Sequence, residues 1–305
     1  MGRVFSEGVS ELTLPKLSAL SGALNLFFGG YLNVLVHDQA KNDLYIIYAG
    51  GDDLFIVGAW QHLPALAEYI RNEFKSFTGN HPALSLSGGI TLEDAKFPLY
   101  RAAERAGEAE GRAKGYTRLD KAKLDAALKE NPELRSDPKL KDDPMYQKAK
   151  DALCFLGTVV GWEDWKQVRE WKDELLWLIG EDEENRNRKK EEEPKRRLPR
   201  AILQLLQSIY QLYRTDLREA RQQVRRENRK RPPDKKRPLP NPQMFFGRWM
   251  WMQVYCLTRM AQRTEDDKVK ARLMELQKQI MQLATVRYSG LAARWAEYLT
   301  RKEER

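Results

Sequence analysis

Between two apolar runs, at 44–48 and 54–57, stands Gly50-Gly51-Asp52-Asp53, a set of residue types that can handle phosphate and metal. Glycine permits the positive φ of a tight turn and lets a ligand approach the backbone, while adjacent carboxylates at a hairpin tip offer several oxygens to hard divalent cations. Two such ions can activate an attacking hydroxyl and hold a leaving pyrophosphate, so the chemistry these residues suit is nucleotidyl transfer from a nucleoside triphosphate. The same four residues also make an ordinary hydrophilic turn, for which Asp and Gly are favoured. Little else competes. His37, His62 and His81 are the only histidines, and Cys154 and Cys256 the only cysteines, which leaves no His-rich metal site, zinc ribbon or disulfide framework to consider. Such cysteine usage suits a reducing cytoplasm.

The elements that must carry the turn follow from periodicity. Leu17, Leu20, Leu24, Phe27 and Phe28 recur at helical spacing after Pro15, and Gly29-Gly30 closes or bends that helix. The β-branched and aromatic run at 44–48 and the apolar run at 54–57 form a hairpin with both strands largely buried. A helix over 62–76, a strand over 83–90 and a helix over 98–114 follow, and the order predicts an α+β sandwich with an antiparallel sheet covered on one face. Residues 115–147, punctuated by Pro132, Pro138 and Pro144, read as an insertion, and 152–156 as one more short buried strand ended by Gly157. Beyond 157 the apolar stripes are helical throughout, which predicts one α+β domain over 1–157 and a helical bundle over 158–305, with flexible loops near 181–200 and 225–242. The stretch 17–36 carries no charge over the length of a bilayer, but Ser18, Ser21, Asn25, Gly29, Gly30 and Asn33 interrupt it, so it reads as a buried helix rather than a membrane span.

Helix, hairpin, helix, strand, helix is the order of polymerase and nucleotide-cyclase palm domains, and here the sequence resembles a known family. Gly50-Gly51-Asp52-Asp53-Leu54-Phe55-Ile56-Val57-Gly58-Ala59-Trp60, with Gly2-Arg3-Val4-Phe5-Ser6-Glu7-Gly8 upstream, is similar to the second palm domain of the large subunit of type III CRISPR effector complexes, of the Csm-like, III-A/III-D kind. Leu86-Ser87-Gly88-Gly89-Ile90, Lys96-Phe97-Pro98-Leu99-Tyr100, the segment 150–157, Trp162-Glu163-Asp164-Trp165 and the segment 293–301 resemble that subunit in the same order. The resemblance implies a ferredoxin-like palm followed by an all-α domain, in an RNA-guided antiviral assembly whose large subunit turns ATP into cyclic oligoadenylates once target RNA is bound. It implies Mg²⁺ (or Mn²⁺) on Asp52 and Asp53 and ATP as substrate. The partners it implies are CRISPR RNA, target RNA, a small helical subunit, repeat-binding backbone subunits and a chain carrying the remaining large-subunit domains.

Two departures matter. Ala49 stands where family members usually have serine, and Gly2 follows Met1 directly where the family has a strand with an Asp-x-Asp pair that completes the metal site. The palm is thus expected to lack its N-terminal strand. Two carboxylates without a third anchor hold Mg²⁺ loosely, so the chain alone is expected to be a poor enzyme, active only when another chain supplies that strand. The alternative is a scaffold and RNA-binding subunit of the same kind of complex with a degenerate palm, and a stand-alone diguanylate-cyclase-like enzyme is a more distant reading of the same hairpin.

Further candidates surround the palm. Lys114 ends a helix where cyclase-like domains place a lysine that reaches triphosphate, and Lys150 precedes the last strand; each is otherwise a solvated surface lysine. Ser87 and the following glycines either let the backbone approach a base or serve tight sheet–helix packing. Gly50 and Gly51 complete the nucleotide-binding set. In the second half the balance is 34 basic against 23 acidic residues, from totals of 53 and 44 less the 19 and 21 of residues 1–157, so the halves stand at −2 and +11. The run 225–242 holds Arg229, Lys230, Arg231 and Lys235, candidates for phosphate contact by counterion release or for an acidic protein neighbour. Phe245, Phe246, Trp249 and Trp251 lie beside it, as core or as stacking partners for bases.

Overall fold

The computed structural model describes residues 13–40, 43–81, 84–119, 146–148, 150–182, 197–232, 235–237, 239–240, 245–281 and 286–301. The chain divides into two compact units, one of Met1–Tyr116 with Lys148–Trp162 and one of Thr117–Gln147 with Glu163–Arg305. The upstream motif at 2–8, residues 120–145 of the 115–147 insertion and residues 183–196 lie outside the described residues.

In the first unit, α1 (Leu14–Asn25) starts with Pro15 in its first turn, where the missing N–H costs nothing. It does not end at Gly29-Gly30. It passes into a π-helical turn, Leu26–Tyr31, and continues as α2 (Leu32–Ala40). The wider turn keeps Phe27, Phe28 and Leu32 on the buried side while both glycines stay exposed. Leu14–His37 is long and apolar enough to cross a membrane by length and composition; Leu24, Phe27, Phe28, Leu32, Leu35 and Val36 are its buried side chains, so one face packs inward and the helix is not buried throughout as expected. Its buried side chains share one core with Leu44 of the hairpin and with Leu66, Ile70 and Phe74 of α3 (Leu63–Phe77).

The hairpin β1 (Leu44–Gly50) and β2 (Asp53–Gly58) forms as expected, but only one face is buried. A register shift between Ile46 and Tyr48 inserts one residue. Leu44 and Ile46 point to the core; the bulge then changes the parity, so Tyr48 turns to the outer face with Tyr45 and is 56 % exposed.

The sheets are small. β3 is confined to Gly88–Ile90, pairs in parallel with β6 (Ala152–Phe155), and β6 pairs antiparallel with β7 (Thr158–Gly161), so this sheet is mixed rather than antiparallel. The strand β7 lies beyond the predicted helical boundary at 157. Leu156 (φ 47°) and Gly157 (φ 77°) make the two-residue turn with both φ positive that joins tight hairpins. Helix α4 (Leu99–Lys114) covers this sheet through Ala109 and Ala113, which pack with Tyr116, Ala152 and Cys154. A short pair, β4 (Thr117–Leu119) with β5 (Tyr146–Lys148), stands in the second unit.

That unit is otherwise helical: α5 (Trp162–Leu178), α6 (Ala201–Arg229), α7 (Arg248–Arg263), α8 (Asp267–Ile280) and α9 (Val286–Thr300). Trp165 stacks on Trp295 at 5.3 Å, and α9 lies so close to α6 that Gly290 faces the Tyr210 ring where a Cβ would sit 2.6 Å away. The Asp266 carboxylate caps α8 by accepting from the N–H groups of Lys268 (2.9 Å) and Val269 (3.2 Å). Residues 225–229, expected in a loop, are the last turns of α6, because Arg, Gln and Glu are strong helix formers.

Candidate nucleotide site

The turn between β1 and β2 presents both carboxylates. Gly50 closes β1, Asp53 opens β2 opposite it, and both aspartates are exposed. Gly51 sits at φ 63°, a conformation open to glycine at little cost. At Gly50 the Tyr48 hydroxyl lies 3.2 Å from where a Cβ would be, so a side chain there would shift that exposed ring by a few tenths of an ångström. Alternation puts Tyr48, Gly50, Asp53 and Phe55 on one face of the hairpin.

Asn25 ties this turn to the helix behind it. Its Oδ1 accepts the Gly51 N–H at 3.2 Å, from the point where α1 passes into the π turn. Asn25→Ala is expected to speed amide exchange of the turn about fivefold, the equivalent of about 1 kcal/mol for one such bond, as read by hydrogen exchange on the full chain; unchanged exchange at Gly51 would show that the tether does not hold the turn.

Lys114 is the residue the fold brings to the acidic pair. Its ammonium lies 2.7 Å from the Glu110 carboxylate, which is the chief cause that raises its pKa, and the charges of Asp53 and Asp52 raise it further. Ser87 and Lys150 meet each other instead. The Ser87 hydroxyl donates to the Lys150 carbonyl at 2.6 Å and Ser85 donates to the same oxygen at 3.1 Å, while Lys150 itself adopts φ 44°. These bonds fasten the crossing from β3 to β6. Gly89 serves packing, since a Cβ there would lie 2.4 Å from the Glu110 nitrogen.

Sequence reasoning missed Asn25 and Tyr48 as neighbours of the turn, and Glu110 as the partner of Lys114. Glu110 was findable, four residues before Lys114 on one helix; Asn25 carries no local signal, and Tyr48 depends on the bulge. Among the described residues no three of His, Cys, Asp and Glu cluster to hold a metal. The donor set therefore fits a divalent cation as half a site, two carboxylates with a cationic neighbour for the ligand's phosphates.

In the basic stretch, Arg229, Lys230 and Lys235 are exposed, whereas Arg231 pairs with Glu227 at 3.7 Å. Asn228 clamps the Arg237 backbone, accepting its N–H at 2.7 Å and donating to its carbonyl, so the segment folds back on α6. Trp249 is core: it is 5 % exposed and packs edge-on against Tyr213 at 5.8 Å.

Residues 1–123 match the model of the Cas10/Cmr2 second palm domain. The CRISPR system single-strand-specific deoxyribonuclease Cas10/Csm1 (subtype III-A) of Methanocaldococcus jannaschii is 36 % identical over 127 residues, covering 38 % of this chain and 16 % of that protein. Its counterpart in Streptococcus thermophilus is 37 % identical over 121 residues, 38 % of this chain and 15 % of the relative. A Csm1 structure, from a Csm1–Csm4 cassette in complex with cA4, superposes with a TM-score of 0.51 at 20 % identity over 94 % of this chain and 33 % of that one, a likeness of fold. The chain thus spans about a sixth of the curated relatives it matches.

Proposed function

Because residues 1–123 match the model of the Cas10/Cmr2 second palm domain, we propose that this chain works in the cytoplasm as part of the large subunit of a type III CRISPR effector complex. Its palm binds ATP and joins it into cyclic oligoadenylate when target RNA is bound. The observation that carries this reading is the exposed Asp52–Asp53 pair with Lys114 in its field. A ribose hydroxyl of one ATP attacks the α-phosphorus of the next; the new P–O bond forms as the α–β bridge breaks, pyrophosphate leaves with the electron pair, and the hydroxyl proton passes to solvent. Asp52 and Asp53 would hold Mg²⁺ (or Mn²⁺), which supplies charge neutralisation and Lewis acidity at the phosphates. Lys114 steadies the leaving pyrophosphate, and the Gly50-Gly51 backbone leaves room for the nucleotide.

Completion of the site by another strand fits the sheet order. Among the described residues β2 pairs with β1 and β3 with β6, and no further strand is paired with β2 or β3. A strand added there, carrying a carboxylate, would supply the third anchor that two aspartates lack. CRISPR RNA, target RNA and the other effector subunits are the partners this assembly requires.

The test is the assembled complex given target RNA, Mg²⁺ and ATP. Oligoadenylate is expected, and none when a chelator removes the metal or when the α,β-methylene analogue, whose α–β bridge cannot break, replaces ATP. Absence of product with ATP itself, or product that survives chelation, would overturn the reading.

A further inference from the structure

Helix α7 has two opposite faces, and the wrong one is aromatic. Trp249, Gln253, Leu257 and Ala261 recur every fourth residue and are buried. On the far side of the same helix stand Arg248, Trp251, Met252, Tyr255 and Arg259, all exposed, with Trp251 at 82 % and Tyr255 at 60 %. A surface helix usually turns polar groups outward, so an indole and a phenol one turn apart on that side call for an occupant.

We infer that this face of α7 is a platform for single-stranded nucleic acid, with bases on Trp251 and Tyr255 and phosphates on the arginines. Charge favours this occupant. The sequence of α7 contains three arginines, Arg248, Arg259 and Arg263, and no carboxylate. Arg259 lies over the Tyr255 ring, 5.7 Å from its centre, and donates to its hydroxyl, so a cation borders the aromatic surface at its C-terminal side. Arg248 borders it at the other end; Asp216 holds its guanidinium at 2.5 Å, and 71 % of the side chain remains exposed. The neighbouring α6 carries Arg214, Arg218, Arg225, Arg226 and Arg229, all exposed, against three carboxylates, Asp216, Glu219 and Glu227. Rings between cations, with no acidic group on α7, match a strand whose bases are unstacked and whose backbone is anionic. A duplex would hide its base faces. The inference stands independently of catalysis in the palm.

A labelled 15-nucleotide single-stranded RNA of mixed sequence, titrated with the full chain, tests it, with single-stranded DNA and duplex RNA in parallel. Trp251→Ala with Tyr255→Ala is expected to weaken single-strand binding about tenfold or more, since each stacked base contributes a factor of about 5 to 150. The slope of log affinity against log salt should not change, because no charge is lost, while Arg259→Gln should flatten it by about 0.7. Trp251→Phe, which keeps a ring, should retain most of the affinity. The proposal is overturned by an unbound single strand, by a duplex bound equally well, or by unchanged affinity in the double variant. It is equally overturned if that variant keeps its RNA affinity and fails only to join the other effector subunits, which would make the face a protein interface.

Discussion

The complex carrying Asp52→Asn together with Asp53→Asn is expected to form oligoadenylate about a thousandfold more slowly than wild type, with the urea midpoint of its large-subunit chain nearly unchanged. The two effects separate because the residues sit at an exposed hairpin tip. Asn keeps the size and the turn-forming amide or carbonyl of Asp, so β1 and β2 retain their pairing and stability should move by less than about 0.5 kcal/mol. What is lost is charge. Two neutral amides cannot hold a divalent ion against water, and metal stabilisation of a transferring phosphoryl group amounts to several kcal/mol, each 1.36 kcal/mol being about tenfold in rate. The check is product formation at saturating ATP and target RNA beside a denaturation curve. Product at the wild-type rate would remove the aspartates from the chemistry; a collapsed midpoint would show that they hold the hairpin instead.

How far the sequence disclosed this arrangement depends on which force set each element. The hairpin was legible because alternation and turn chemistry agree: apolar strands, then Gly-Gly-Asp-Asp where positive φ is needed. Its bulge was not, since the extra residue at Ile47 has no composition signal and shows only as Tyr48 facing away from the core. Strand β7 was within reach. An apolar run, a two-residue loop ending in Gly157 and the run Thr158-Val159-Val160 is a hairpin pattern, lost because the helical stripes beyond it dominated. Tertiary packing decided the rest. Gly29-Gly30 reads as a stop or a bend, and the chain winds on in a π turn because Phe27, Phe28 and Leu32 all have core to fill. In the basic stretch composition misled, for a low-complexity run of Arg and Glu is also a run of good helix formers, and α6 continues to Arg229. Asp52, Asp53 and Lys114 are candidates that the sequence offers by residue type and position, whereas Asn25, 26 residues from Gly51, is beyond any local pattern.

The geometry of β3 against α4 sets up the second large effect, in which Gly89→Ala is expected to destabilise the first unit by about 3 kcal/mol, the upper end of the range for overpacking. A Cβ at Gly89 would lie 2.4 Å from the Glu110 nitrogen, 2.6 Å from the Ala106 oxygen and 2.8 Å from the Ala109 carbonyl carbon. All three are backbone atoms, so no side chain can rotate away; the helix as a whole must retreat. That retreat would pull Ala109 and Ala113 off Ala152 and Cys154 and carry Lys114, at the end of the same helix, relative to Asp52 and Asp53. A control lies on α4 itself. At Gly107 nothing stands within 4 Å of the added methyl, so Gly107→Ala should stabilise by about 0.8–1 kcal/mol through helix propensity alone. Urea denaturation with hydrogen exchange on the first unit distinguishes the pair, and the opposite signs are the test, because a general intolerance of α4 to substitution would make both variants less stable. If Gly89→Ala proved neutral, the strand would have room to move off the helix, and the placement of Lys114 by this packing would no longer hold.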